Sequence, residues 1–174
     1  MRALRFAGVQ LEPQVAGHAD EMFAVLSDPA IYEFENEPPP TPEWLRERFR
    51  KLESRRSPDG REQWLNWVVR VGTEGLAGYV QATVHPDGSA SIAYELSSRF
   101  WGRGIGRRAV EAMISELAAN YAVRRLFAVA VRDNARSLRL LDRLGFATAG
   151  EALRAERGVE PHEALLERAI ERGP

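Results

Sequence analysis

Cysteine is absent from the 174-residue chain, and histidine occurs only at His18, His85 and His162. Without cysteine there is no disulfide, no cysteine nucleophile, no thiolate metal site and no iron–sulfur cluster. Three scattered histidines also argue against a histidine-rich metal centre. We therefore expect a protein that binds no metal.

Long hydrophobic runs are also missing, since no stretch approaches the ~18 apolar residues that a membrane-spanning helix needs. The N-terminal segment MRALRFAGVQLEPQ has neither a continuous apolar region nor a small-residue cleavage site, so no signal peptide is predicted. The 24 basic and 25 acidic residues nearly cancel, whereas a dedicated nucleic-acid binder usually carries a basic excess. We expect a cytoplasmic protein with neither a membrane nor a nucleic-acid partner.

The length and composition predict a single globular domain over residues 1–174. Hydrophobic residues make up 44% of the chain and charged residues 28%, which is ordinary globular usage. A chain of roughly 150 residues buries about 68–70% of its unfolded surface, which is enough for a core without disulfides or metals.

The periodicity of the apolar residues predicts a mixed sheet with helices packed on it. Strands are expected over residues 4–12, 64–71, 76–84, 91–96 and 126–131. Helices are expected over 16–26, from Pro42 to before Ser57 with Thr41 as the N-cap, from about 104, and after a cap at Asp133 or Asn134. Antiparallel strands followed by a β-α-β-α unit place helices on a mixed sheet. The C-terminal tail is ambiguous, because EALLERAI favours a helix while GVEP at 158–161 is typical of a hairpin turn.

The most informative segment is SIAYELSSRFWGRGIGRRAVEAM, in which a strand leads into a glycine-rich loop and a helix begins within that loop. Gly102, Gly104 and Gly106 let the backbone approach a ligand closely. The first N–H groups of a helix have no intrahelical partner, and the helix dipole adds partial positive charge there. We call residues 101–106 the glycine loop. Its sequence therefore predicts an anion site suited to phosphate.

Arginines at the start of this helix strengthen the prediction of an anion. Arg103, Arg107 and Arg108 lie in or before the first turn, where an exposed cation opposes the helix dipole at a cost of about 0.3–1 kcal/mol. An anionic ligand would remove the conflict. The alternative is a solvated basic helix start in which Arg107 pairs with Glu111.

The loop matches neither of the two common nucleotide-binding patterns. A P-loop needs Gly-Lys-Ser/Thr after its glycines, and this chain has Arg107 and Arg108 there. The dinucleotide fingerprint is G-x-G-x-x-G, whereas this loop is G-x-G-x-G. Mononucleotide and dinucleotide binding are therefore excluded as interpretations of the motif.

Two motifs resemble the GNAT superfamily of acetyl-CoA-dependent N-acetyltransferases. WGRGIGRRA is similar to the pyrophosphate loop of that family, and NARSLRLLDRLGF is similar to its second motif, with Asn and Ser three apart followed by Leu and Gly-Phe. LEPQVAGHADEMFAVLSDPAIYEF resembles the branch that includes the ribosomal-protein N-terminal acetyltransferases, the Rim type, of which Trp101 is also typical. The resemblance covers roughly residues 9–170.

The resemblance implies the GNAT fold, an α+β architecture. Its central sheet is mixed but mostly antiparallel, has seven strands flanked by helices, and has a fourth and a fifth strand that splay apart. It also implies that the C-terminal tail forms two strands, against the helix propensity of EALLERAI, and that this last hairpin lies beside the acceptor site.

The resemblance further implies acetyl-CoA as the cosubstrate. In the family, loop amides hold the pyrophosphate, the pantetheine arm follows the backbone of the fourth strand, and the Asn and Ser of the second motif lie near the arm and the thioester sulfur. The corresponding cofactor-binding residues of this chain are Leu96, Ser98, Arg103, Gly104, Ile105, Gly106, Arg107, Arg108, Asn134 and Ser137. Judged by spacing alone, Asn134 is equally a helix N-cap, and Ser137 alternatively bonds the backbone.

The implied reaction is direct attack of a primary amine on the thioester, the acceptor being a protein N-terminus or a small-molecule amine. A thiolate has a pKa near 8.5, so a weak acid such as Ser137 suffices to protonate it, and a backbone N–H near Leu96 is the expected oxyanion donor. Glu95 is the candidate base, its alternatives being a surface ion pair or a water relay. Glu33 and Glu35 are candidate acceptor-binding residues, as a base, a cation-attracting rim or merely solvated carboxylates.

A second interpretation is a GNAT-like domain that binds acyl-CoA or a partner without turnover. The intact glycine loop, Asn134 and Ser137 favour catalysis, whereas the lack of an obvious base favours binding alone. The identity of the acceptor, the acyl chain length and the choice between a monomer and a homodimer stay open at this stage.

Overall fold

The computed structural model describes residues 1–34 and 36–170. Within these residues the strands are β1 Leu4–Phe6, β2 Val9–Pro13, β3 Gln63–Val71, β4 Leu76–Val84, β5 Ser89–Leu96, β6 Arg125–Val131, β7 Ala147–Thr148 and β8 Glu163–Ala169. The helices are α1 Ala19–Leu26, α2 Pro42–Leu52, α3 Ile105–Asn120, α4 Ala135–Arg143 and α5 Glu151–Glu156. Short 3-10 turns lie at Ala16–His18, Pro29–Tyr32 and Ser98–Phe100. None of the helices so described is long and apolar enough to cross a membrane.

Across residues 1–34 and 36–170, all the strands form one sheet in the order β1-β2-β3-β4-β5-β6-β8-β7, in which only β5 and β6 run parallel. The predicted fold class is confirmed, but the described part of the sheet has eight strands rather than seven. The first expected strand breaks into a hairpin at Ala7 and Gly8, whose φ angles are 45° and 82°. Positive φ at both central residues is typical of a two-residue hairpin turn, so β1 folds back onto β2.

The C-terminal tail forms the two strands that the resemblance implied. EALLERA is the strand β8, which pairs with β6 over seven residues and buries Ala164, Leu165 and Leu166. Burial on the sheet overrides its helix propensity. A helix forms earlier instead, as α5, so β7 and β8 are joined by a longer connection than a hairpin turn.

The sheet carries helices on both faces. On one face, α3 buries Ile105, Ala109, Met113 and Leu117 at the predicted spacing of four, against a core that includes the fully buried Trp67. On the other face, α1 and α2 cover only part of the sheet, with a smaller cluster that contains Met22, Leu45, Phe49 and Val68. The uncovered part of this second face is where a cleft remains.

The pairing between β5 and β6 ends early, as the predicted splay requires. The register pairs are Ser89–Arg125, Ala90–Leu126 and Ser91–Phe127, although β5 continues to Leu96 and β6 to Val131. We call the region beyond the Ser91–Phe127 pair the β5–β6 gap. The predicted splay of the fourth and fifth strands, here β5 and β6, is confirmed.

Close approach of β4 to β5 depends on Gly78. A Cβ atom added at Gly78 would lie 2.0 Å from the Glu95 carbonyl oxygen and 2.7 Å from the Leu96 Cα. Both are backbone atoms, so a side chain at this position forces the two strands apart just where β5 borders the gap.

We therefore expect Gly78→Ala to destabilise the fold by about 3 kcal/mol or more, the upper range for overpacking. Urea unfolding measures the difference. Gly17→Ala is the matched control, because a Cβ there meets no atom within 4 Å, and it should stay within about 0.5 kcal/mol of the parent. Equal stability of the two variants would contradict the close approach.

Candidate functional site

Every second residue of β5 directs its backbone N–H and C=O groups toward the β5–β6 gap. The Ser97 N–H donates to the Ala77 carbonyl at 2.9 Å, and the His85 N–H donates to the Ser89 carbonyl at 2.9 Å, so odd-numbered residues bond toward β4. Strand alternation then directs the backbone groups of Ile92 and Leu96 toward β6, beyond the last β5–β6 pair. The gap therefore offers a strand edge along which an extended ligand can bind.

Two of the predicted cofactor contacts on this edge already have partners in the protein. The Trp101 indole Nε1 donates to the Leu96 carbonyl at 2.8 Å. The Ser98 N–H donates to the Asp28 carboxylate at 2.6 Å, and its carbonyl accepts from the Trp101 N–H at 3.1 Å. In this arrangement a ligand can reach the Leu96 N–H, whereas Ser98 has only its hydroxyl to offer.

The glycine loop ends in the start of α3, next to the gap. Gly104 is the N-cap residue with φ of 71°, a left-handed conformation that glycine adopts without strain. The first intrahelical donor is the Arg108 N–H, which bonds the Gly104 carbonyl at 3.2 Å. The N–H groups of Ile105, Gly106 and Arg107 therefore precede the helical hydrogen bonds, which is the anion-binding arrangement predicted from the sequence.

Two of the three arginines at the start of α3, Arg103 and Arg107, have acidic partners. Arg103 forms a bidentate pair with Glu74 at 2.7 and 2.9 Å, and its hydrogen bonds lower the pKa of the Glu74 carboxyl. Arg107 pairs with Glu111 at 2.8 Å, the alternative left open above. The conflict between these cations and the helix dipole is thus partly relieved without a ligand.

Arg108 differs from Arg103 and Arg107, which both have acidic partners. Its Nε is buried without a hydrogen-bond partner among the residues that the structure describes. Its guanidinium lies beside the glycine loop, since a Cβ added at Gly104 would be 3.6 Å from Nη1. Because a buried polar group usually has a partner, this cation and the neighbouring amides fit an anionic group such as a pyrophosphate.

The second motif lies at the start of α4. The Asn134 side chain accepts from the Ser137 N–H at 3.0 Å, so Asn134 is the helix N-cap. The Ser137 hydroxyl oxygen lies 2.8 Å from the Tyr94 hydroxyl oxygen, which joins α4 to β5. Tyr94 was missed by the sequence reasoning, although strand alternation places it on the opposite face from Glu95, toward α4.

Of the two predicted acceptor-binding carboxylates, Glu33 is the one that the structure describes. Glu33 pairs with Arg136 at 3.2 Å, and the Arg136 guanidinium stacks 3.4 Å from the centre of the Trp101 ring. Glu33 is thus tied to the start of α4 beside the glycine loop. Glu35 lies outside the described residues.

Glu95 occupies the other face of β5. Its Oε1 accepts from the Asn36 Nδ2 at 2.9 Å. Tyr79 on β4 is directly opposite Glu95 in register, and burial, followed by the charge of Glu95, raises the pKa of Tyr79 well above its usual value. The candidate base is therefore held by neighbours on a loop and on a strand.

Glu95 lines a cleft of about 230 Å³ between α2 and the sheet, which we call the α2 cleft. Its apolar wall comes mainly from α2 and its polar floor from the strands. The lining residues are Gln14, Leu26, Tyr32, Asn36, Glu37, Pro39, Trp44, Leu45, Arg48, Phe49, Leu52, Asn66, Tyr79, Gln81 and Glu95. Side-chain alternation along β5 thus gives one strand two functional sides, with Tyr94 facing α4 and Glu95 facing the α2 cleft.

Several cleft and gap residues carry no local sequence signal. Asp28 is 70 residues from its partner Ser98, and Asn36 is 59 residues from its partner Glu95. Gln14 is likewise far in sequence from the other residues that line the α2 cleft. Only the pairing of distant strands brings them together. Tyr94 is different, because the alternation of side chains along β5 predicts which face of the strand it occupies.

Comparison with known structures supports this architecture. A ribosomal-protein-S5-alanine acetyltransferase from Vibrio fischeri has a TM-score of 0.80 and 21% identity, with 99% of each chain covered. RimL, a ribosomal L7/L12 α-N-protein acetyltransferase in complex with coenzyme A, has a TM-score of 0.77 and 18% identity, with 97% and 98% covered. An acetyltransferase from Thermus thermophilus has a TM-score of 0.72 and 22% identity, with 94% and 98% covered. At identities of 18–22%, these structural similarities show that the fold is shared.

Comparison of the sequence itself gives the family. No curated protein matches it significantly. The family model described as the acetyltransferase (GNAT) domain matches residues 9–147, which make up most of the chain and include both motifs. The chain therefore belongs to the GNAT acetyltransferase family.

Proposed function

We propose that the protein is an N-acetyltransferase that uses acetyl-CoA to acetylate a primary amine in a ternary complex. The observation that carries the proposal is the β5–β6 gap. On one face of β5 the gap adjoins the glycine loop and Ser137. On the other face it adjoins Glu95 and the α2 cleft. Two substrates can thus approach one strand from opposite faces.

The cofactor side of the gap is assigned to three groups of atoms. The amides of Ile105, Gly106 and Arg107, with the Arg108 guanidinium, would hold the pyrophosphate. The Leu96 N–H faces the gap, where it would bond the extended arm and serve as an oxyanion donor. Asn134 positions Ser137 through the α4 cap, at the end of the gap where Tyr94 also lies.

Bound acetyl-CoA supplies an activated acetyl thioester and a thiolate leaving group. Glu95 would accept the proton of the attacking ammonium, and Asn36 orients that carboxylate. An α-amine with pKa of about 7.7–8.0 needs less help from a base than a lysine with pKa about 10.4. Ser137, with its hydroxyl oriented by Tyr94, would pass a proton to the departing sulfur and regain one from the second proton that the attacking nitrogen loses as it becomes an amide.

Calorimetric titration with acetyl-CoA tests the binding site, with ATP and NADH as controls. We expect acetyl-CoA to bind and Gly104→Glu to weaken it at least tenfold, because the variant places a carboxylate at the α3 N-terminus. Gly60→Glu is the matched control, with a φ of 73° against 71° at Gly104 and no atom within 4 Å of its Cβ. Equal binding of ATP, or equal losses in the two variants, would refute the assignment.

Ser137→Ala should lower kcat by about 10- to 100-fold while leaving the Kd for acetyl-CoA within about threefold, since a weak acid assists a good leaving group. Release of free thiol measures the rate. Ser115→Ala removes an exposed serine of α3 and should change neither constant. An unchanged kcat in Ser137→Ala would show that Ser137 is not the acid that protonates the leaving thiolate.

Glu95→Gln should lower kcat by about 100-fold near pH 7 and shift the rate toward higher pH. Without a base the reaction depends on the amine that is already neutral, so the rate of an α-amine acceptor rises as pH approaches its pKa of about 7.7–8.0. A pH profile of kcat reports the change, with exposed Glu43→Gln as the control. An unaltered profile would assign the deprotonation to a water relay.

A further inference from the structure

A serine, a histidine and a glutamate form a hydrogen-bonded chain beside the turn that joins β4 to β5. The His85 Nε2 lies 3.0 Å from the Ser91 Oγ, and the His85 Nδ1 lies 3.0 Å from the Glu62 Oε1. Enzymes that use an activated serine link a nucleophile, a base and a group that orients the base in this order. We call Ser91, His85 and Glu62 the triad.

The carboxylate of the triad decides which nitrogen of His85 carries the proton. An ionised carboxylate only accepts hydrogen bonds, so the Nδ1 beside Glu62 is the N–H of the neutral imidazole. The Nε2 is then the unprotonated nitrogen, and it accepts from the Ser91 hydroxyl. The proton of Ser91 therefore points at a base, which is the arrangement that activates a serine oxygen.

Each member of the triad is also held by a contact outside it. The Trp64 indole Nε1 donates to the second Glu62 oxygen, Oε2, at 3.0 Å. The His85 backbone N–H donates to the Ser89 carbonyl at 2.9 Å, so the turn fixes the position of the histidine. Ser91 lies in β5 and pairs in register with β4 on one side and with β6 on the other. The three groups are therefore aligned by the sheet and not only by their own hydrogen bonds.

The triad is open to solvent and separate from the site proposed above. The His85 side chain is 24% exposed and the Glu62 side chain 33%, and Ser91 is partly exposed. The described lining of the α2 cleft contains none of the three residues. Ser91 precedes Glu95 by four residues on the same side of β5, which corresponds to roughly 13 Å along a strand. A small molecule can therefore reach the Ser91 oxygen without entering the α2 cleft.

Trp64 gives the triad an apolar neighbour. Trp64 is opposite Thr83 in register and Thr83 is opposite Ser91, so the three side chains share one face of the sheet. An aromatic group can pack on the partly exposed indole. An aryl leaving group also departs readily, so an aryl ester needs little stabilisation of the negative charge that develops on its carbonyl oxygen. A small carboxylic ester of a phenol is thus the ligand class that suits this surface.

We propose that Ser91 and His85, positioned by Glu62, form a second catalytic site that cleaves activated aryl esters through an acyl-serine intermediate. The Ser91 Oγ attacks the ester carbonyl carbon while the His85 Nε2 takes its proton. That proton passes to the departing phenol oxygen as the bond between this oxygen and the acyl carbon breaks. Water then attacks the acyl carbon and gives one proton to His85, which returns it to the Ser91 oxygen as the carboxylic acid leaves. Each cycle consumes one ester and one water and is independent of the proposed acetyl transfer.

The test is reaction of the full chain with p-nitrophenyl acetate, followed by mass spectrometry of its peptides. We expect a burst of about one equivalent of p-nitrophenolate and an acetyl group on the peptide that contains Ser91. Ser91→Ala should abolish the label, and His85→Gln should lower the labelling rate by about 100-fold, because the positioned base is lost. Ser115→Ala removes an exposed serine of α3 that bonds a backbone carbonyl, and this matched control should react like the parent.

Glu62→Gln tests the positioning role by itself. The glutamine amide can donate to the His85 Nδ1, which favours the tautomer with its proton on Nε2 and leaves the Ser91 hydroxyl without a base. We expect the labelling rate to fall at least about tenfold without a matching loss of melting temperature. The nitrogen NMR spectrum of the His85 ring should show that the proton has moved from Nδ1 to Nε2.

The parent protein alone can overturn the proposal, whether or not the variants fold. Absence of the label, or a label only on residues other than Ser91, contradicts an activated serine. A labelling rate that survives His85→Gln overturns the role of the imidazole. In a merely structural network, substitutions in the triad would lower the melting temperature while Ser91 of the parent stayed unlabelled. Ser91→Ala should still transfer acetyl groups from acetyl-CoA to amines, so failure of this inference and failure of the proposed function are distinguishable.

Discussion

Early termination of the β5–β6 pairing is the constraint on which the rest of the site depends. If the parallel pairing continued beyond Ser91–Phe127, it would consume the backbone groups of β5 that face β6. Because it stops, the Leu96 N–H lies at a strand edge inside the molecule rather than at its margin. The start of α3 lies against both β5 and α4 at this opening, since a Cβ added at Gly106 would be 3.6 Å from Leu96 and 3.5 Å from Leu140.

One segment connects the two sides of this opening. In the connection between α1 and α2, Asp28 accepts from the Ser98 N–H on the side of the glycine loop. Glu33 pairs with Arg136 over the Trp101 ring, and Asn36 donates to Glu95 in the α2 cleft. The same stretch of chain therefore touches the groups assigned to the cofactor and those assigned to the acceptor.

Electrostatics distinguishes groups that the sequence treats alike. Three arginines near the start of α3 are equivalent by spacing, but the fold gives Arg103 the carboxylate of Glu74 from the β3–β4 turn. Arg107 is neutralised by Glu111 on its own helix, and Arg108 keeps a buried Nε without a partner among the described residues. Similarly, the acid Glu33 pairs with Arg136 of α4, whereas Glu95 accepts from Asn36 in the α2 cleft.

Local sequence determined much of the fold and the glycine loop. Helix α3 with its glycine start, the cap of α2 at Thr41 and the cap of α4 at Asn134 all depend on residues within one or two turns, which is why spacing predicted them. Tertiary structure decided the rest. Residues Ala7–Gly8 fold one expected strand into two, and burial against β6 makes a strand of a segment with helix propensity. The Tyr94–Ser137 contact and the Asn36–Glu95 hydrogen bond join distant segments, and no local pattern encodes which segments will be neighbours.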